Sequence, residues 1–198
     1  MDIQLIDNYI YTTKFDLNLK GLRDSTDKMY SLIKENWTNE KTDFNGQTTL
    51  TNGVYTRYNL LMYPLFGFYD LYKNIQTTFR EVSQTDEPHY IQCWLNYYRK
   101  GDYIQWHKHF PPGAHSWHGF YCLDVEPGSY TSYKIPHLDH ITDIPSQDNL
   151  LVITRSAGDE HRSSEWPFED RPRITIAFDI LPQRHVWWDQ WLNHWIPI

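Results

Sequence analysis

The sequence predicts a single α+β, mainly β domain, with strands enough for a sandwich or jelly roll and helices packed outside a sheet. Three observations carry this. The chain has 198 residues, long enough to bury one substantial core and short for two. Residues 1–88 carry helical periodicity. From Pro88 onward, runs of β-branched and aromatic residues are punctuated by turn clusters such as PPG and EPGS. Helices first and strands afterwards is the order of an α+β domain.

Taken in order, IDNYIYTTKFDL reads as a short strand leading into a helix. The run Asp16 to Trp37 spaces Leu19, Leu22, Met29, Leu32, Ile33 and Trp37 as one helical face. DFNGQTTLTNG is turn-rich and predicted exposed. A second helix is predicted from Pro64 to Val82, with proline in its first turn and Leu65, Phe68, Tyr69, Tyr72, Ile75 and Phe79 as its apolar face. Strands are predicted at HYIQCWLNYY, YIQWHKHF, SWHGFYCLDV, SYTSYKI, NLLVITR and RITIAFDIL. The domain thus divides into helical support (1–88), a β core (89–182) and a tail (183–198) with four tryptophans. Trp187, Trp191 and Trp195 would share a helix face, suited to packing on the sheet or to a homodimer contact.

Composition excludes some functions. A formal charge of −7 argues against general nucleic-acid binding, which needs a basic surface. Cys93 and Cys122 form no disulfide framework or zinc motif and read as buried small hydrophobes. No signal-like start or membrane-length apolar run occurs, so a soluble, cytoplasmic protein is expected, with no membrane partner. Aromatic content is high at 17%, with nine tryptophans, which suits cores, pockets and interfaces alike.

Chemistry concentrates in YRKGDYIQWHKHF. Strand alternation places His107 and His109 on one face with Tyr103 and Gln105, and Lys108 opposite. Two neutral imidazoles so placed can occupy adjacent corners of one metal ion. Ordinary histidines of a half-exposed strand are the other reading. A second constellation lies downstream: His161 follows a strand and a tight turn, and Arg173 opens an apolar strand. Along it Arg173, Thr175, Ala177 and Asp179 face one way, and Ile174, Ile176, Phe178 and Ile180 face the core. A guanidinium beside a hydroxyl is suited to holding a carboxylate, though a surface arginine beside a threonine is also common. His115 and His118 read as structural or surface residues, with pocket lining as the alternative. His89, His137, His140, His185 and His194 have no supporting pattern.

Together these pieces resemble the Fe(II)- and 2-oxoglutarate-dependent oxygenase superfamily, in its prolyl-hydroxylase-like branch. The family motif is H-x-D/E, a distal His and a later R-x-S/T. The matching residues are His107-Lys108-His109, His161 and Arg173-Ile174-Thr175. Tyr98, Gly101, Tyr103 and His107 fit the branch's lead-in, and GSYTSY fits its Gly and Thr element. The resemblance covers roughly Tyr90 to Leu181 and is similar to small phage-type oxygenases with an H-x-H variant.

It implies a double-stranded β-helix, a jelly roll related to cupins. It also implies a dioxygenase that hydroxylates a small-molecule or peptidyl substrate with O₂, releasing succinate and CO₂. His107, His109 and His161 would hold Fe(II). Arg173 and Thr175, with Tyr98 or Tyr103, would hold 2-oxoglutarate, Arg171 being the rival arginine. The departure is His109 where the family has a carboxylate; Asp124 or Asp159 could take that corner instead. Two other readings remain open: a cupin-like three-histidine oxygenase without 2-oxoglutarate, and a non-catalytic jelly-roll binding protein.

Overall fold

The structure, a computed structural model, describes residues 2–37, 49–186 and 194–198. The chain opens on an antiparallel hairpin, β1 (Gln4–Ile6) and β2 (Ile10–Lys14). Asp7 and Asn8 turn it with φ of 52° and 53°, a region these two residue types tolerate. Helix α1 (Leu19–Trp37) starts later than Asp16 because Asn18 caps it: its side-chain carbonyl accepts the Gly21 N–H at 3.0 Å.

The segment predicted exposed is buried or half-buried where the structure describes it. Residues 43–48 lie outside the described ones. From Thr49 onward the chain forms a short buried helix, α2 (Leu50–Gly53), capped by Thr49. Its polar groups tolerate burial because the neighbouring strand satisfies them. Trp94 donates to Asn52 Oδ1 at 3.0 Å, and the Tyr97 N–H donates to Thr51 Oγ1 at 3.1 Å. Helix α3 (Phe68–Ser83) begins at Phe68 rather than Pro64, after a turn at Gly67 with φ of 81°.

The β region comprises β3 (His89–Tyr98), β4 (Trp117–Asp124), β5 (Tyr130–Lys134), β6 (Ile141–Pro145), β7 (Leu150–Arg155), β8 (Glu160–Ser163) and β9 (Arg173–Pro182), with α4 (Gln183–Val186) and β10 (Ile196–Pro197) at the end. Two antiparallel sheets result. The larger has the order β1-β2-β7-β4-β9-β3-β10, and the smaller β6-β5-β8. This mainly β, two-sheet arrangement is a jelly roll with helices packed on its larger sheet.

The short strands β1 and β10 were not predicted, nor were β6 and β8. β6 mixes proline and aspartate into a short polar alternation, and β8 reads EHRS, with no apolar signal. Conversely, YIQWHKHF is not a strand. It is an extended loop joined to β8 by a reciprocal bridge, His107 N–H to His161 O at 3.1 Å and His161 N–H to His107 O at 3.0 Å, and by Ile104, whose carbonyl accepts the Ser163 N–H at 3.0 Å.

Strand β9 divides the two layers. Ile174, Ile176, Phe178 and Ile180 join Leu22, Met29, Ile33, Leu71, Ile75 and Phe79 in one apolar cluster under the helices. Burying such side chains stabilises by about 1.5–3 kcal/mol each. The opposite face carries Arg173, Thr175 and Ala177 into a cavity shared with Thr131, His161 and Ser163 of the small sheet. Cys93 and Cys122 are buried free thiols in the core. In the tail, Trp187, Trp188 and Trp191 lie outside the described residues, so the helix-face and dimer readings do too. Trp195 is buried in its own chain, edge-on to Phe110 at 6.4 Å. Among the described residues no helix is long and apolar enough to cross a membrane.

Candidate metal centre

The bridge between the 107–110 loop and β8 sets the site. It brings the His107 ring to 4.2 Å from that of His161, and His109 follows at 5.0 Å from His161 and 5.3 Å from His107. One ligand atom from each lies within 4.8 Å of the others. His107 donates its Nδ1 hydrogen to the Gln105 carbonyl at 2.8 Å, which leaves Nε2 as its lone pair. His109 donates its Nδ1 hydrogen to Asp179 at 2.5 Å, with the same consequence. Burial pushes the His107 pKa down to about 4, and lowers His161 well below its usual value, reinforced by the neighbouring imidazoles. For His109 burial also pulls downward, but the Asp179 charge and hydrogen bond outweigh it and the pKa is raised.

A fourth imidazole, read from sequence as structural or superficial, belongs to the cluster. His118 on β4 stacks on His109 at 4.5 Å with 7° between the planes, and on His161 at 4.8 Å. Its Nδ1 meets Ser156 Oγ at 2.9 Å, and its Nε2 lies 3.2 Å from Asp159 Oδ2 without hydrogen-bond alignment. His118, Asp159 and His161 form a second potential donor group that shares His161 with the first. In SWHGFY a histidine interrupts an apolar strand. Such a buried imidazole needs a partner, and that was the available signal.

Other candidates fall outside. Asp124 pairs with Arg23 at the far end of β4, away from the histidines, so it is no rival ligand. Arg171 is half-exposed and pairs with Glu126, while its carbonyl accepts from Trp166; it does not line the cavity. Proline at 172 separates it from β9, which supplies the reason. Tyr103 lines a surface groove with Gln105, Trp106 and Tyr130 rather than the histidine cavity. Loss of strand geometry there breaks the parity that would have aligned it with the imidazoles. His115 faces Arg155 at 3.0 Å, and the remaining described histidines also lie outside both donor groups.

Arg173, Thr175 and Tyr98 line the cavity with the imidazoles. Arg173 is 1% exposed. Its Nη2 donates to Ser146 Oγ at 3.1 Å, and its guanidinium carbon lies 4.9 Å from the Tyr98 ring centroid. Among the described residues its Nε and Nη1 have no hydrogen-bond partner, and it forms no ion pair. A buried guanidinium with two unused donor nitrogens is costly unless an anion completes it.

No protein-family profile and no curated protein sequence matches the chain. Solved structures do. HygX from Streptomyces hygroscopicus, solved with nickel and 2-oxoglutarate bound, is similar over 88% of this chain and 83% of its own, with a TM-score of 0.58 and 10% identity. A Pseudomonas putida prolyl-4-hydroxylase is similar over 88% of this chain and 85% of its own, with a TM-score of 0.51 and 10% identity. The chain spans 59% of a Burkholderia pseudomallei oxidoreductase of the 2OG-Fe(II) oxygenase family and the same share of itself aligns, with 11% identity and a TM-score of 0.47 that adds nothing to the fold. The likeness is one of fold: this chain has the jelly roll found in 2OG-Fe(II) oxygenases.

Proposed function

We propose that the chain is an Fe(II)- and 2-oxoglutarate-dependent oxygenase that hydroxylates a small-molecule or peptidyl substrate, with His107, His109 and His161 as metal ligands. The observation that carries this reading is Arg173. It is buried, no carboxylate among the described residues pairs with it, and it lines the same cavity as three converging imidazoles. The donor set suits a divalent first-row ion, since two imidazoles have Nδ1 committed as donor and Nε2 left over. The unused Nε and Nη1 of Arg173 suit the far carboxylate of a dicarboxylate cosubstrate. A three-histidine oxygenase without that cosubstrate leaves the arginine unexplained, as does a non-catalytic binding protein.

When bound, iron and 2-oxoglutarate supply oxidation of a C–H bond by O₂, coupled to decarboxylation to succinate. The chain's own residues do the rest. Ser146 anchors one arm of the guanidinium, and the Tyr98 ring supports its plane. Thr175 offers a hydroxyl on the same strand face, 2% exposed. Trp94, Ile104, Phe120 and Ala177 line the remaining walls and limit water.

A second ligand set has its own support, because His118 Nε2, Asp159 Oδ2 and His161 Nδ1 are buried without hydrogen-bond partners. One experiment addresses both sets. Purified protein is given Fe(II), 2-oxoglutarate and O₂, and succinate is assayed. Uncoupled turnover by the wild type, abolished in His107→Ala and His161→Ala, is expected. Turnover that survives His107→Ala and dies in Asp159→Asn assigns the second set. No succinate from the wild type contradicts the proposed activity.

A further inference from the structure

The three proposed ligands are not equivalent. His107 gives its Nδ1 hydrogen to a neutral carbonyl, and the Nδ1 of His161 has no hydrogen-bond partner. Among the described residues, His109 is the one of the three hydrogen-bonded to a carboxylate; the Asp159 carboxylate stands 3.9 Å from His161 Nδ1, without a hydrogen bond. Asp179 lies on the cavity side of β9, opposite Gln92 of β3 and His118 of β4, and is 5% exposed. Its Oδ1 accepts from His109 Nδ1 at 2.5 Å, its one side-chain hydrogen bond among the described residues. A carboxylate placed in mid-strand at that depth is costly without such a partner. The resemblance to the H-x-D/E motif puts an acid where this chain has His109. The negative charge has therefore not left the cluster; it stands one residue further out.

We propose that Asp179 is the positioning residue of a His109–Asp179 pair that replaces the carboxylate ligand. The carboxylate fixes the tautomer that turns Nε2 toward the metal, holds the ring in place and lends the centre its negative charge through the imidazole. The proposal rests on the reading that His107, His109 and His161 hold the metal. It ties Asp179 to one ligand only, so its effect depends on what stands at position 109.

Cobalt(II) binding, followed by calorimetry and by the visible cobalt band, tests this without turnover. Asp179→Asn keeps the shape and removes the charge; Asp179→Thr is a second, strand-compatible variant. Either should weaken cobalt binding by about 10–100-fold and shift the band. His109→Asp sets two carboxylates against each other, so adding Asp179→Asn to it should leave affinity unchanged or raise it. Far-UV circular dichroism of the metal-free variants monitors folding. Affinity within about twofold of wild type in both Asp179 variants overturns the proposal. So does a loss from Asp179→Asn that is the same with and without His109→Asp. If His107→Ala and His109→Ala abolish binding while Asp179→Asn does not, the ligand assignment stands and the pair falls. If those two alanine variants bind cobalt like wild type, the ligand assignment falls and takes the pair with it.

Discussion

At the scale of single residues, Arg173 does most to define the site. Its buried, half-satisfied guanidinium predicts a selective defect. Arg173→Ala should weaken 2-oxoglutarate binding by about 10–100-fold, the worth of charge-assisted hydrogen bonds, and leave cobalt affinity within a few-fold. Isothermal titration of both ligands checks this; equal loss of both contradicts the assigned role. The imidazoles predict a pH effect. Burial holds His107 at about 4 and lowers His118 and His161, so below the usual histidine value near 6.5 the folded chain binds fewer protons than the unfolded one. Stability of the metal-free protein must then fall as pH drops from about 6.5 toward 4. His109 acts in the opposite sense and in another window: its raised pKa adds stability as pH falls toward the usual value near 6.5, and below that it is protonated in both states and leaves the loss unchanged. The melting temperature should fall between about pH 6.5 and pH 4.5, and His107→Gln should flatten that slope by on the order of 1 kcal/mol. A slope unchanged by the substitution contradicts the account.

At the scale of elements, the site depends on how closely β4 approaches its neighbours. A Cβ built on Gly119 would stand 2.2 Å from the Val152 carbonyl oxygen and 2.5 Å from the Phe178 ring. Backbone cannot give way cheaply there, so Gly119→Ala should destabilise by about 1–3 kcal/mol in chemical denaturation. A loss below about 0.5 kcal/mol would mean that β4 and β7 are less tightly set than these distances require. This element also marks where sequence reading succeeds and stops. β3 and β9 were legible because long apolar and aromatic runs have one outcome when buried on a helix-covered sheet. Parity along β9 sorted Arg173 and Thr175 from the core residues. The 103–110 run has the same alternation, yet it lacks a ladder partner beyond the His107–His161 bridge and the Ile104–Ser163 bond, so Tyr103 left the cavity while the histidines kept their meeting point. β8 was invisible because four mostly polar residues carry no period. Asp159 was legible as an alternative ligand, two residues from His161, whereas His118 was missed because β4 and β8 belong to different sheets that meet only face to face in the folded jelly roll. Local spacing holds no trace of the His118–His161 contact.

At the scale of the whole molecule, the two sheets close on a cavity lined by both the imidazoles and the Arg173 guanidinium. Ligands that bind only this folded arrangement must stabilise it. Cobalt(II) with 2-oxoglutarate, each at about 100 times its dissociation constant, should add about 2.7 kcal/mol per ligand and raise the melting temperature by several degrees. No rise with either ligand would leave the cavity without the proposed occupants.

The most direct measurement of the central claim compares two oxo acids. Protein loaded anaerobically with Fe(II) is titrated with 2-oxoglutarate and with pyruvate, and the visible charge-transfer band is followed. Pyruvate has the metal-binding end and lacks the far carboxylate. The account predicts that 2-oxoglutarate binds the wild type at least about tenfold more tightly, and that Arg173→Ala removes the difference. Equal affinities in the wild type, or a preference that survives loss of the guanidinium, would contradict it.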